Sequence, residues 1–120
     1  MVLAAITVFS LSAPAYAGTA DVVAVKVFKL PKIGPDVFRF RVTVRHADAG
    51  WDHYADRWQV VSQDGTVLGT RVLAHPHDNE QPFTRLKDLR ISADVKRVTI
   101  RAGDKVHGFG GREMTVEVPH

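Results

Sequence analysis

Phe38-Arg-Phe-Arg-Val-Thr-Val-Arg45 sets Phe38, Phe40, Val42 and Val44 on one side of an extended chain and Arg39, Arg41, Thr43 and Arg45 on the other. Successive side chains of a β-strand point to opposite faces, so this run predicts a strand with one buried and one solvated face. On its N-terminal side, residues 21–30 alternate likewise, with Val23, Val25 and Val27 together, and Pro31 and Ile33-Gly34-Pro35 close the run. On its C-terminal side, residues 57–62 predict a third strand with Trp58 and Val60 inward. Asp64-Gly65 makes a hairpin turn there, because these residues accept positive φ, and residues 66–74 return as the fourth strand. Residues 83–91 fit neither period cleanly: Leu86, Leu89 and Ile91 suit a bulged strand or an irregular crossover. Residues 96–102 and 113–118 alternate again, burying Val98, Ile100 and Ala102, then Met114, Val116 and Val118. Nowhere does an apolar stripe of helical period run for ten residues or more. The reading is all-β: an immunoglobulin-like or fibronectin-like antiparallel β-sandwich of about seven strands, with a tryptophan on the third.

Residues 1–17 carry no charge, run apolar from Val2 to Leu11 and end in Ala15-Tyr16-Ala17, the small-x-small pattern accepted by signal peptidase. The apolar run is shorter than the roughly 20 residues that cross a bilayer, and Pro14 interrupts it. Residues 1–17 therefore read as a signal peptide, although no Lys or Arg precedes the apolar run, and residues 18–120 as a single β-sandwich domain without a membrane span. A periplasmic or secreted location follows. The formal net charge of +3 belongs wholly to residues 18–120, and this mild excess on an exported chain argues against nucleic acid as a partner. The absence of cysteine excludes disulfides, thiolate metal sites and a cysteine nucleophile.

Five of the six histidines fall in three polar segments, His46-Ala-Asp-Ala-Gly-Trp-Asp-His53, His75-Pro-His77-Asp-Asn-Glu80 and Val106-His107-Gly108. These are the second, fourth and sixth connections between the predicted strands. If successive strands reverse direction, all three emerge at one pole, and the opposite pole receives no histidine. His75-Pro76-His77 is the tightest pair, because the residue before proline is held extended and residues two apart then project to the same side. Their imidazoles are able to converge on one ion at about 2.0–2.1 Å from each nitrogen. His46, His53 and His107 are further candidate ligands, and Asp48, Asp52, Asp78 and Glu80 could supply oxygen or orient the rings. Such a donor set favours copper or zinc over calcium or magnesium. The plain alternative is a group of solvated, locally hydrogen-bonded histidines in long loops. His120, at the carboxyl end, reads as frayed.

Trp51 and Tyr54 are interleaved with charged residues and suit either a partner-binding rim or a lid over the end of the sandwich. Gly108-Phe-Gly-Gly111 lacks the lysine and the strand-to-helix context of a phosphate loop and reads as a flexible turn. There is no Gly-x-Ser-x-Gly elbow, which weighs against serine hydrolase chemistry.

The segments 46–58, Leu73-Ala-His-Pro-His77, Gln81-Pro-Phe-Thr-Arg85 and Val106-His-Gly108 resemble a group of small, uncharacterised exported bacterial proteins. The resemblance spans most of residues 18–120 and transfers no activity. Superoxide reductases also hold iron with histidines on an immunoglobulin-like domain, but their cysteine ligand has no counterpart here. The leading expectation is thus a periplasmic protein that binds copper or zinc at a histidine-rich pole, for storage, delivery or sensing. The alternative is a non-catalytic module whose aromatic and charged rim, Trp51 and Tyr54 foremost, contacts an envelope protein or glycan. A metal-activated water is the one catalytic mechanism that these residues could support.

Overall fold

The computed structural model describes residues 18–120 and the two-residue strand Thr7–Val8. The rest of the segment read as a signal peptide lies outside the described residues. The described strands are β1 Thr7–Val8, β2 Asp21–Lys29, β3 Val37–Arg45, β4 Ala55–Ser62, β5 Val67–Val72, β6 Phe83–Arg90, β7 Arg97–Asp104, β8 Gly108–Phe109 and β9 Met114–Glu117. Among the described residues there is no helix.

Two antiparallel sheets pack face to face. One has the order β2-β3-β6, the other β1-β9-β7-β4-β5 with β8 added to β7. The expected hydrophobic faces fill the space between them: Phe38, Phe40, Val42 and Val44 of β3 meet Trp58 and Val60 of β4 and Val98, Ile100 and Ala102 of β7. Trp58 is wholly buried. Full burial of one such side chain is worth about 1.5–3 kcal/mol, and without disulfides this core must carry the fold.

The structure corrects the reading of four segments. In β2 the pairing with β3 slips between Val22 and Ala24, so Val22, not Val23, is buried beside Val25 and Val27. The bulge inserts one residue and changes the phase of the alternation. Residues 83–90 form a regular strand in unbroken register with β3, from Val44 opposite Phe83 to Val37 opposite Arg90. β6 is a sheet edge on which Arg85 and Lys87 share the core-side face while Leu86 points to solvent, which hides its period. Charge on an edge strand discourages pairing with another chain. Gly108 and Phe109 are not a loose turn: they pair with β7, and the Phe109 ring lies under the guanidinium groups of Arg57 at 4.4 Å and Arg101 at 4.2 Å. His120 is held, not frayed, since its Nε2 donates to the Val95 carbonyl at 2.8 Å and its ring meets Phe38 edge-on.

Because β3 runs antiparallel to β2 and β6, and β4 to β5 and β7, connections 46–54, 73–82 and 105–113 emerge at one pole. Cross-loop contacts fix them there. The Gly50 amide donates to Asp78, and the Lys105 ammonium donates to the Trp51 carbonyl at 3.1 Å. The N-terminal residues 18–20 join the same pole through Asp21, whose carboxylate accepts from the Arg112 amide at 2.8 Å, while the Val22 amide donates to the Arg112 carbonyl.

Candidate metal centre

The alternation of β7 continues past Ala102 and turns one more side chain inward, Asp104, which is 1% exposed. A carboxylate there needs partners, because an unpaired buried charge is costly. It accepts from the backbone N–H groups of Val106 at 2.8 Å and His107 at 2.5 Å, and from His107 Nδ1 at 3.2 Å. Burial opposes its ionisation, yet the His107 and Val106 amides and the His107 ring together hold its carboxyl below the usual carboxylate range.

Around Asp104 stand three imidazoles. His46 Nε2 lies 3.5 Å from Asp104 Oδ2, and His53 Nε2 lies 3.6 Å from Asp104 Oδ1. One ligating atom each from His46, His53 and Asp104 lie within 4.8 Å of one another, the spacing of a metal-binding triad. The His107 ring lies 5.0 Å, centroid to centroid, from that of His53. His46 is buried at 2% exposure, whereas the His107 side chain is 40% exposed and forms the open side of the group.

The polar neighbours of His46 define its chemistry. Nδ1 is 2.5 Å from Asp48 Oδ1 and Nε2 is 2.9 Å from the Gly18 carbonyl oxygen. A carboxylate and a carbonyl both only accept. Two hydrogen-bonding arrangements satisfy that pair of contacts: both ring N–H groups donate, one to Asp48 and one to Gly18, or Nδ1–H donates to Asp48 while the Nε2 lone pair faces a cation shared with the Gly18 oxygen. His53 Nε2 converges on the same oxygen at 3.1 Å. Four oxygens, from Gly18, Asp48 and Asp104, thus surround imidazole nitrogens in a region that favours positive charge.

Asp48 also links this group to the fourth connection. Its Oδ1 accepts from the Ala55 amide at 3.1 Å and its Oδ2 from the His77 amide at 2.6 Å. His77 is buried, stacks on Phe83 at 3.9 Å between centroids, and has no hydrogen-bond partner on either ring nitrogen among the described residues. Burial, followed by Arg85 and His75, pushes its imidazole below the ordinary histidine value. His75 is exposed, its ring 4.6 Å from that of His77. The pole therefore holds two groups, His46-His53-His107-Asp104 and His75-His77, with Asp48 between them.

The remaining candidates lie outside the Asp104 group. Asp78 accepts from the Gly50 amide at 3.2 Å, Glu80 pairs with Arg85 at 3.3 Å, and Asp52 is exposed. Trp51 is 61% exposed and meets Tyr54 edge-on at 5.7 Å, with Lys105 over the Tyr54 ring. Trp51 shares a shallow cleft with His75, Pro76, His77 and Asp78. Sequence reasoning missed Asp104, Gly18 and Gln81, whose side chain accepts from the His46 amide and donates to the His77 carbonyl. The signal for Asp104 was present, because the phase of Val98, Ile100 and Ala102 sends it inward.

The chain is 40% identical over 88 residues to a protein of Halomicrobium mukohataei named "Putative lipoprotein". That match takes in 73% of this chain and 43% of the relative, so the chain spans less than half the length of the curated protein it matches, and no activity passes from it. No family model matches the chain. No solved structure matches it.

Proposed function

We propose that this protein is an exported β-sandwich that binds a transition metal ion, copper or zinc, at its histidine pole and stores, delivers or senses it. The observation that carries this reading is the convergence of His46, His53 and Asp104 on one small space, where the Gly18 oxygen and both carboxylates only accept. Histidine ligands with one carboxylate suit copper(II) and zinc. His107 is the fourth ligand, on the solvent side. Asp48 orients His46 through Nδ1, and Asp104 orients His107 in the same way, the usual means by which a neighbouring carboxylate fixes a metal-bound imidazole. His75 and His77 form the outer half of the pole, tied to the centre through Asp48.

Export rests on the Ala15-Tyr16-Ala17 pattern and on the name of the relative. A fibronectin-like sandwich rests on the division of strands: β2, β3 and β6 in one sheet, and β4, β5, β7 and β9 in the other. A second reading is favoured by the exposure of Trp51 beside Tyr54 and the His75-Pro76 cleft, which together fit an envelope protein or glycan.

Calorimetric titration of tag-free protein with copper(II) and with zinc(II), joined to elemental analysis, tests the metal reading. The expected result is about one tightly held ion per chain, lost in the double variant His46→Ala/His53→Ala and weakened about tenfold in His75→Ala/His77→Ala. Tight binding retained by the first double variant would refute the assignment. Binding no stronger than that of a histidine-poor control protein would leave the rim as a recognition surface.

A further inference from the structure

We infer that the free α-amine of Gly18, released when the leader is cut after Ala17, is itself a ligand of the metal, so that export processing completes the site. This inference rests on the metal reading above.

Gly18 stands in the middle of the imidazole group. Its carbonyl oxygen is 2.9 Å from His46 Nε2 and 3.1 Å from His53 Nε2. A Cβ at this position would lie 2.8 Å from His107 Cε1, 3.4 Å from His53 Cε1 and 3.5 Å from His107 Nε2. The rings of His53 and His107 thus close on the α-carbon of Gly18 while His46 and His53 meet its carbonyl oxygen, and the positive φ of 90° favours glycine at this point. The nitrogen one bond from that carbon is an amide in the intact chain, where it carries little basicity and offers no lone pair to an ion. Hydrolysis of the Ala17–Gly18 bond by an envelope peptidase consumes one water, leaves the Ala17 carboxylate on the departing leader, which takes strand β1 with it and leaves β9 as the sheet edge, and frees Gly18 as an ammonium. Loss of one proton from that ammonium as the ion arrives yields a strong nitrogen donor. The amine nitrogen and carbonyl oxygen of one residue close a five-membered chelate ring on a metal, and the Gly18 oxygen already sits where His46 and His53 Nε2 meet.

The fold holds the terminus at this point. The Asp21 carboxylate takes the Arg112 amide, the Val22 amide gives to the Arg112 carbonyl, and Gly111 lies so close to the Ala20 carbonyl that a Cβ there would come within 2.0 Å of its oxygen. Ala20 is wholly buried. Ala15-Tyr16-Ala17 is the small-x-small pattern that signal peptidase accepts, and a cut directly after it delivers this amine. A donor set of amine and imidazole nitrogens shifts the preference between the two candidate metals toward copper(II), which leads the divalent series for nitrogen ligands.

The test compares three forms in copper(II) titrations: the full chain with the Ala17–Gly18 bond intact, the chain exported and processed by a host, and a processed variant with one alanine inserted between Ala17 and Gly18. N-terminal sequencing and circular dichroism accompany each. The expected result is that the processed chain begins at Gly18 and binds copper(II) at least about 100-fold more tightly than the other two, with a change in the copper electron paramagnetic resonance spectrum that reports the added nitrogen. Processing at another bond, or equal affinity in all three forms, overturns the role of the amine and leaves the histidine site standing. No tight binding by any form, with folded spectra throughout, overturns both.

Discussion

Asp104 is the residue on which the proposed centre turns, because it is buried, is charged, and faces His46, His53 and His107 at once. Asp104→Asn keeps the shape but puts an amide N–H₂ in a place fed by the Val106 and His107 amides. We expect it to lower metal affinity about 10–100-fold and to cost about 1–3 kcal/mol of apo stability, read from metal titration and from urea unfolding in chelator. His77 gives a different prediction. Its folded imidazole resists protonation, chiefly through burial, while in the unfolded chain it titrates near 6.5. Below that pH the unfolded chain takes up the proton first, so this residue costs nothing above about pH 6.5 and destabilises the fold progressively as the pH falls, by at most about 1.4 kcal/mol per pH unit. His77→Phe, which preserves the stack on Phe83, is expected to flatten the stability profile between pH 6.5 and 5 in chelator. An unchanged profile would show that His77 is protonated without penalty. At this scale the histidines and Asp48 were legible as polar residues in connections. Asp104 was legible only by extending the strand phase two residues, and Gly18 not at all, since its place depends on contacts with segments 28 to 35 residues away.

The elements that escaped a sequence reading did so for local reasons. Val22 and Val23 are equally apolar, so only the bulge against β3 decides which is buried. In β6 the pattern is blurred because Arg85 and Lys87 lie on the same face as Val42 and Phe40 of the neighbouring strand. β3, β7 and β9 were legible because each alternates, and β4 through Trp58 and Val60 despite the register slips at its two ends. Between elements, Gly111 meets the Ala20 carbonyl backbone to backbone, beside the bond from the Arg112 amide to the Asp21 carboxylate. Gly111→Ala would push its Cβ to 2.0 Å from the Ala20 carbonyl oxygen, and neither backbone can yield cheaply. The expected outcome is a loss of about 1–3 kcal/mol, as for overpacked sites, together with weaker metal binding, because the shift propagates from Ala20 to Gly18. Gly110→Ala is the matched control: its nearest neighbour, a Thr19 methyl at 3.5 Å, leaves ordinary contact distance. Equal effects of the two substitutions in unfolding and titration experiments would refute this mechanism.

For the whole molecule, the proposed centre is a tie between the two sheets. His46 follows β3 and Gly18 precedes β2 in one sheet, while His53 precedes β4 and Asp104 ends β7 in the other. That all three histidine segments share a pole was legible from strand reversal alone, whereas their division into two groups was not, because it depends on which side of Asp48 each ring lies. With no disulfide, the sheets are otherwise joined by apolar contact and a few hydrogen bonds such as those of Asp21 and Val22 with Arg112, so an ion bound at the centre acts as a cross-link present only in the folded state. Free metal at about 100 times its Kd stabilises a folded protein by about 2.7 kcal/mol, and about 1 kcal/mol moves the Tm of a domain this size by roughly 4–8 °C. Calorimetric scans should therefore show the Tm rising by about 10 °C or more with copper(II), falling back with chelator, and staying fixed in His53→Ala at the same metal concentration. A rise of equal size in His53→Ala would place the ion outside the Gly18-His46-His53-Asp104 group, at His75 and His77 in the connection from β5 to β6.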